Sequence, residues 1–477
     1  MTAKTQPARG MRDFLPADVR RREYVVRVIK ETYERYGFEP LETPAVENIE
    51  TLMGKYGEEG NQLIFKILKR GEHERTGEAD LALRYDLTVP LARVVAEYGD
   101  KLPKFFKRYQ IQPVWRADRP ARGRYREFYQ CDVDCIGTRS PVVEAELCAA
   151  ASDVLRTLGF DNFTIRLNHR QVLAGVLEAA GVAVEHHGEA LVALDKLDKI
   201  GREGVAREMA GRGIEPESGD VLLGFFENLP ALEHAAEFVA GDGGGGTEVS
   251  KAEAYNRAAL GRLVEFVGDN EAGARGVDEL RRIVEYAAAC GAADRIKIDP
   301  SLARGLSYYT GAIMEISVPD LAGSLAGGGR YDNLVGMFSG KDITACGFSL
   351  GLDRIILIMT ERGMFPKELE RASADVLVTV WNEESVADSL AFAAELRRAA
   401  PALRVDVYPD ADKLGKQLRY ASARGVSFVV VVGDEERERG EVALKDMKTG
   451  GQERVARAHA AAILSERLGG NKSRQPA

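Results

Sequence analysis

Arginine side chains are concentrated in one predicted strand–loop–strand segment, residues 105–136, where they could bind an anionic ligand. Residues 104–127 contain eight basic side chains and only two acidic ones. Arg116 and Arg124 flank the polar turn at residues 119–123. Because a guanidinium group binds phosphate oxygens in pairs and stacks on flat rings, the segment predicts a site for a phosphate-bearing ligand. A basic hairpin that only faces solvent is the alternative when this segment is considered alone.

Three later clusters could belong to the same site. Residues 302–311 (LARGLSYYTG) contain one arginine directly before a glycine and two adjacent tyrosines between that glycine and the next. Residues 326–334 (AGGGRYDNL) contain three consecutive glycines, which let a backbone approach a ligand closely. Residues 346–354 (CGFSLGLDR) run from a predicted strand into a helix that begins at Leu352. Each cluster alone is typical of ordinary loops, but their joint order favours a ligand-binding site.

The elements that position these clusters follow from hydrophobic periodicity. Dense strands with interspersed helices predict an α+β domain with a mainly antiparallel sheet at residues 1–172 and 291–362. Residues 173–290 are rich in Ala, Glu and Leu at helical spacing and predict a helical insertion, which Gly241–Gly246 interrupts. Strands and helices alternate in residues 373–467, the pattern of a small α/β domain, and a flexible tail is expected at 468–477.

The amino-acid composition is typical of a folded, soluble globular protein. The 477 residues are 45% hydrophobic and 29% charged, and the formal net charge is −9. That acidic balance argues against general coating of polyanions but allows one local basic surface. The sequence has no apolar run of the roughly 18 to 20 residues that a membrane span needs and no signal-peptide pattern at its start, so a cytoplasmic protein without a membrane partner is expected. The five cysteines include no C-x-x-C pair and are interpreted as free thiols.

The motifs together resemble those of the histidyl-tRNA synthetases, a class II aminoacyl-tRNA synthetase family, from Gly10 to about Ala460. Similarity is carried by the opening Gly10–Pro16, by a helix and strand ending at Pro44 (motif 1), by Arg116–Gln130 (motif 2), by Gly347–Arg354 (motif 3), by the histidine-specific stretches Leu302–Gly311 and Gly328–Leu334, and by Lys413–Leu418. The resemblance implies a class II catalytic domain in two parts, the helical insertion domain and a C-terminal α/β anticodon-binding domain.

The resemblance also implies an ATP site. The adenine is expected between Phe128 and Arg354, with Arg116 at the α-phosphate and Arg124 toward the terminal phosphates. Asp118 is also expected to contact ATP. Magnesium is expected to accompany ATP, and no protein side chain is assigned to the metal.

The histidine site follows from the same resemblance. It implies histidine binding by Asp86, Thr88, Arg116, Gln130, Asp134, Arg304, Tyr308, Tyr309 and Tyr331. The ammonium group is expected at Asp86, Thr88 and Gln130, and the imidazole at Asp134 and Tyr309, with Tyr331 closing the pocket. Arg116 and Arg304 are the expected catalytic residues. Family members commonly have Asp where this chain has Ser307, and Glu where it has Asp118 and Asp134.

The implied partners are ATP, L-histidine and tRNA(His). Arg119 and Arg122 are expected at the acceptor end of the tRNA. A homodimer is expected because the motif 1 helix carries apolar residues, among them Val25, Val28 and Ile29, that would otherwise be partly exposed.

Two other classes of function remain as alternatives. One is a regulatory subunit that resembles the synthetase core without its activity, although such proteins typically lack the anticodon domain. The other is an RNA-binding or stress-sensing module that uses the fold without activation chemistry, which the arginines Arg116, Arg304 and Arg354 disfavour.

Overall fold

The chain is described by a computed structural model that covers residues 5–71, 76–194, 196–229, 231–232, 250–303, 308–319, 321, 323–370 and 372–469. It divides after Phe365 into two compact units, which are treated separately below. No helix within these ranges is long and apolar enough to cross a membrane.

Helices occur along the whole length of the first unit, from near its start to near its end. They are α1 (Pro16–Arg35), α2 (Ile49–Leu52), α3 (Gly57–Gln62), α4 (Thr88–Tyr98), α5 (Val142–Thr157), α6 (Arg170–Ala179), α7 (His187–Leu194), α8 (Leu197–Gly211), α9 (Pro216–Glu227), α10 (Lys251–Val267), α11 (Glu271–Ala289), α12 (Gly336–Ser339) and α13 (Leu352–Glu361).

The strands of the first unit form two sheets. They are β1 (Glu39–Pro40), β2 (Val46–Asn48), β3 (Lys66–Leu68), β4 (Ala79–Leu83), β5 (Phe106–Trp115), β6 (Glu127–Ile136), β7 (Thr164–His169), β8 (Ile296–Ile298), β9 (Ala312–Ser317), β10 (Ala326–Arg330) and β11 (Ala345–Gly351). The large sheet has the order β1-β5-β6-β11-β10-β9-β7-β8, and the small one β2-β4-β3. Only the two edge pairs of the large sheet, β1 with β5 and β7 with β8, are parallel. The predicted α+β class with a mainly antiparallel sheet is confirmed.

Strand β6 shows how the large sheet separates core from site. Alternate side chains of a strand point to opposite faces. Cys131, Val133 and Cys135 are buried in the main hydrophobic core together with residues of α1 and α5. The residues between them, Asp132 and Asp134, therefore lie on the other face. On β6 the buried carboxylates thus lie on the face opposite the main core, the polar face of this strand.

Helix α1 is held by the same core. Its Val25 and Ile29 have no exposed surface, and Val28 has only 7%. The expectation that these side chains would be exposed in a single chain is wrong, because α5 and α13 already pack against α1. They therefore give no argument for a dimer.

Several expected boundaries differ in the first unit. The strand expected to end at Pro44 is limited to β1, because only Glu39 and Pro40 pair with β5. Helices α6 and α11, at the two ends of the expected insertion, pack on each other, and α11 also packs on α5 and β7. The glycine run at residues 241–246 lies outside the described residues. The division of the first unit into a catalytic domain and an insertion stays a prediction.

The second unit is a five-stranded sheet with helices. Its strands are β12 (Val376–Val378), β13 (Val405–Val407), β14 (Phe428–Val431), β15 (Glu441–Asp446) and β16 (Gln452–Ala456), and its helices are α14 (Val386–Ala399), α15 (Leu414–Ala423), α16 (Asp434–Arg439) and α17 (Ala460–Gly469). The order is β13-β12-β14-β15-β16, with the first three strands parallel and the last two antiparallel. Of the expected tail, residues 468 and 469 close α17, and 470–477 lie outside the described residues.

Candidate active site

A cavity of about 890 Å³ opens on the polar face of the large sheet. Its lining includes ten residues that the sequence nominated from widely separated segments: Asp86, Thr88, Arg116, Asp118, Arg124, Phe128, Gln130, Tyr308, Tyr309 and Arg354. The fold therefore brings the arginine-rich hairpin, the paired tyrosines and the start of α13 to one place.

Arg116 is positioned by aromatic rings and one backbone oxygen. Its Nε donates to the carbonyl oxygen of Tyr85 at 3.0 Å. The guanidinium carbon lies 4.3 Å from the centre of the Tyr85 ring and 5.2 Å from that of Phe128. Contacts of this kind hold the cation in place without neutralising it, so its charge remains available to an anion in the cavity.

The turn of the hairpin is held by an arginine–carboxylate fork. Arg124 donates to Asp118 from Nε at 3.0 Å and from NH2 at 2.9 Å. Arg126 donates to the Asp118 carbonyl oxygen at 2.9 Å. The Arg124 side chain is 55% exposed and the Asp118 side chain 9%. Asp118 is therefore a buried anchor for an Arg124 guanidinium that is itself largely exposed to solvent.

Arg354 connects the hairpin to α13. Its Nε donates to the carbonyl oxygen of Gly123 at 3.3 Å, and NH1 donates to that of Ser324. The neighbouring Asp353 pairs with Arg12 and accepts from the backbone N–H of Tyr129 at 3.0 Å. These contacts hold the start of α13 against the first residues of β6 and against the N-terminal segment that contains Arg12.

A buried carboxylate lies at the inner end of the cavity. Asp86 is 1% exposed, and its Oδ1 accepts from the Tyr56 hydroxyl at 2.9 Å and from the Val89 N–H at 3.1 Å. Its Oδ2 is buried without a donor among the described residues. Burial raises the pKa of Asp86, while Arg116 is one of the groups that lower it. A cationic donor from a ligand would complete this site.

Asp134 and Tyr331 lie behind the lining. The Tyr331 hydroxyl donates to Asp134 Oδ1, and Arg108 NH2 lies 2.8 Å from Asp134 Oδ2. Both carboxylate and arginine are almost fully buried. A Cβ atom on Gly347 would lie 1.8 Å from Asp134 Oδ1, so only glycine leaves room for this carboxylate. Burial raises the pKa of Asp134, and Arg108 opposes that rise.

Asp132 and Arg108 are buried polar residues near Asp134 that were not predicted from the sequence as site residues. Burial raises the pKa of Asp132 to about 7, with Arg108 lowering it and Asp134 raising it further. Both residues lie on the same sheet face as Gln130. A polar residue at every second position of this predicted strand was the available signal.

Of the remaining predicted site residues, Arg119 and Arg122 are not part of the cavity lining. Arg119 and Arg122 are exposed on the turn, and Arg122 pairs with Glu361. Arg304 and Ser307 lie outside the described residues. In the described part of the chain, no group of three or more His, Cys, Asp or Glu residues could hold a metal ion.

Comparisons with known proteins agree along most of the chain. A family model described as Histidyl-tRNA synthetase matches residues 10–355, and one described as Anticodon binding domain matches residues 375–467. The chain is 41% identical to a histidine--tRNA ligase of Gloeobacter violaceus, over 96% of this chain and 98% of the relative. It is 40% identical to one of Porphyromonas gingivalis, over 96% and 98%.

Solved structures give the same result. The structure resembles a histidyl-tRNA synthetase from Nostoc, with a TM-score of 0.75, 30% identity, and coverage of 98% of this chain and 100% of that one. It shares its fold with an ATP phosphoribosyltransferase regulatory subunit/histidyl-tRNA synthetase from Bacillus halodurans, with a TM-score of 0.69, 21% identity, and coverage of 91% and 100%.

Proposed function

The chain belongs to the histidyl-tRNA synthetase family, and from that premise we propose how its residues divide the work of joining histidine to tRNA. It is an ATP-dependent ligase of the class II aminoacyl-tRNA synthetases, with ATP, L-histidine and tRNA as substrates. The observation that carries the proposal is the convergence of ten nominated residues on one cavity.

The reaction has two balanced steps. A carboxylate oxygen of histidine attacks the α-phosphorus of ATP, and the bond to the β-phosphate oxygen breaks, which gives histidyl-adenylate and pyrophosphate. A hydroxyl of the terminal ribose of tRNA then attacks the activated carbonyl, loses its proton and displaces AMP. Since the histidine carboxylate is already ionised near neutral pH, the first step needs alignment and charge neutralisation and no general base.

Arg116 and Arg304 are assigned to that neutralisation. The contacts of Arg116 with Tyr85 and Phe128 fix its guanidinium before the substrate arrives, which is the condition for electrostatic stabilisation of a transition state. Arg304 is assigned to the reacting carboxylate and phosphate from the resemblance alone.

ATP is assigned to the outer part of the cavity. Phe128 and Arg354 would hold the adenine between a ring and a planar cation, and Arg124 would exchange from Asp118 to the terminal phosphates. The exposure of Arg124 supports that exchange. Mg²⁺ is bound in proteins through one or two carboxylates together with substrate phosphates, and it would neutralise phosphate charge. Asp118 and Glu315 are carboxylates of the lining that fit this role.

Histidine is assigned to the inner part. Asp86, Thr88 and Gln130 would bind the ammonium group, a role supported by the buried Oδ2 of Asp86 and Oε1 of Gln130, which lack donors among the described residues. Asp134 and Tyr309 would bind the imidazole. Tyr308 and Tyr331 would close the pocket, and their rings contact each other edge-on at 5.9 Å.

Transfer to tRNA(His) is assigned to surfaces beyond the cavity. Arg119 and Arg122 would contact the acceptor end, where phosphate contacts position the nucleic acid. The anticodon-binding domain at residues 375–467 would read the anticodon. A cytoplasmic homodimer is proposed as well. Exposed apolar side chains on the small sheet, Val46 and Leu68 among them, support an interface there.

The assignment is tested by pyrophosphate exchange into ATP with each amino acid in turn. Only L-histidine is expected to support exchange, and Arg116→Ala is expected to reduce it. Exchange with no amino acid would favour the regulatory alternative, and exchange with a different amino acid would reject histidine as the substrate.

A further inference from the structure

Gln130 presents an amide oxygen that the described residues leave without a donor. Its Nε2 donates to the Ser349 hydroxyl at 3.1 Å, whereas its Oε1 is buried with no hydrogen-bond partner in the described part of the chain. The orientation matters because only the oxygen of an amide can accept from an ammonium group. Something must keep the NH2 group turned toward Ser349.

Sheet register shows what lies on the other side of Ser349. Ser349 in β11 is directly opposite Asp132 in β6, and Gln130 lies two positions before Asp132 on the same face. Directly opposite side chains in an antiparallel pair are neighbours. The Ser349 hydroxyl therefore lies beside the Asp132 carboxylate, and its interaction with that carboxylate lowers the pKa of Asp132 against the effect of burial.

The hydrogen-bond donors and acceptors of Gln130, Ser349 and Asp132 can be paired in one arrangement. Burial raises the pKa of Asp132 to about 7, so above that pH its carboxylate is ionised and can only accept. The single hydroxyl proton of Ser349 then goes to Asp132. The Ser349 oxygen is then left to accept, and the NH2 group of Gln130 is the donor that reaches it. The Gln130 oxygen is consequently turned toward the cavity.

We propose that Asp132 and Ser349 form a positioning relay that holds the Gln130 amide with its oxygen toward the ammonium group of bound histidine. This rests on the assignment of Gln130 to the ammonium group under the proposed function. Asp132 acts through Ser349 and does not touch the substrate. The oriented Gln130 oxygen thereby favours a ligand with an α-ammonium group over one without it.

Substitutions in the full chain test the relay. Ser349→Ala removes the hydroxyl that joins Asp132 to Gln130, and the Michaelis constant for histidine in pyrophosphate exchange is expected to rise about 10- to 100-fold, the range for one hydrogen bond to a charged group. Asp132→Leu is expected to do the same. Asp132→Asn, whose amide oxygen can still accept from Ser349, is expected to recover most of the affinity.

A double-mutant cycle separates the relay from independent roles. In a Gln130→Ala background, Ser349→Ala is expected to add less than about a twofold effect, because both act on the same hydrogen bond. Equal effects of Ser349→Ala with and without Gln130 would overturn the relay, as would a histidine Michaelis constant within twofold of the parent.

Two inhibitors add a readout that loss of folding would not move. Histidinol keeps the ammonium group and imidazolepropionate lacks it. Ser349→Ala is expected to weaken histidinol and leave imidazolepropionate within about twofold, since only the ammonium contact is lost. Equal weakening of both inhibitors contradicts the relay. A parent chain without histidine-dependent exchange would instead reject the proposed function itself.

Discussion

Replacing Gly347 by alanine should disable the Asp134 site without removing any of its polar groups. Gly347 and Asp134 are directly opposite in β11 and β6. The added Cβ would lie 1.8 Å from Asp134 Oδ1, whereas non-bonded carbon and oxygen atoms need about 3.0 Å or more. The carboxylate therefore has to move by roughly 1 Å or more.

That displacement acts on two buried partners. It pulls Asp134 Oδ1 away from the Tyr331 hydroxyl and disturbs the 2.8 Å contact of Oδ2 with Arg108. A lost hydrogen bond to a charged group costs about 1.5–3 kcal/mol, and a buried charge left without its partner costs about 3–5 kcal/mol. Since the pair is displaced and not deleted, we expect a loss of about 2–4 kcal/mol in unfolding free energy.

Thermal unfolding and pyrophosphate exchange measure the effect. Gly347→Ala should lower the melting temperature by several degrees and raise the histidine Michaelis constant. Gly327→Ala is the matched control for stability, because its Cβ would lie 3.8 Å from the nearest atom, the Met314 carbonyl oxygen. In an Asp134→Ala background the clash is absent, so Gly347→Ala should cost little more. A parent-like melting temperature and Michaelis constant for Gly347→Ala would refute this reasoning.

Four further predictions concern separate parts of the chain. Arg304→Ala should lower the maximal rate of adenylate formation by ~100-fold or more, the loss for one preorganised electrostatic partner, and Arg304→Lys tests whether a point charge suffices. Asp134→Ala should mainly raise the histidine Michaelis constant. A lower maximal rate with an unchanged Michaelis constant would show that the binding role given to Asp134 and the catalytic role given to Arg304 are assigned the wrong way round. Removing residues 366–477 should leave pyrophosphate exchange measurable and reduce charging of tRNA far more, because the nominated activation residues all precede Phe365; equal losses would contradict that division. Asp132→Asn should change how stability depends on pH. The pKa of Asp132 is about 7 in the folded chain and near 3.8 in the unfolded chain, so the stability of the parent falls as the pH rises between those values. The melting temperature of the variant relative to the parent should therefore rise from pH 5 to pH 7.

The sequence predicted the parts of the site that carry their chemistry in local composition. Arg116 and Arg124 of the arginine-rich hairpin and the Tyr308–Tyr309 pair are predicted as ligand contacts, and all four residues line the cavity. The separation of the second unit near residue 373 also followed from the change to alternating strands and helices, and the structure divides after Phe365.

Long-range pairings were not predictable in the same way. The contact of Arg108 with Asp134 depends on the register of β5 with β6, which places those residues opposite each other. The place of Gly347 depends on β11 joining the other edge of β6. Short strands such as β2 and β3 gain their stability from pairing with β4 and carry little periodic signal of their own.

Charging of tRNA(His) with labelled histidine by the full chain tests the central claim most directly, since it needs both steps and both units. The expected result is ATP-dependent transfer of histidine to the 3′ end of tRNA(His), which is lost in Arg116→Ala. Pyrophosphate exchange with histidine but no charged tRNA, or charging that persists undiminished in Arg116→Ala, would contradict the account.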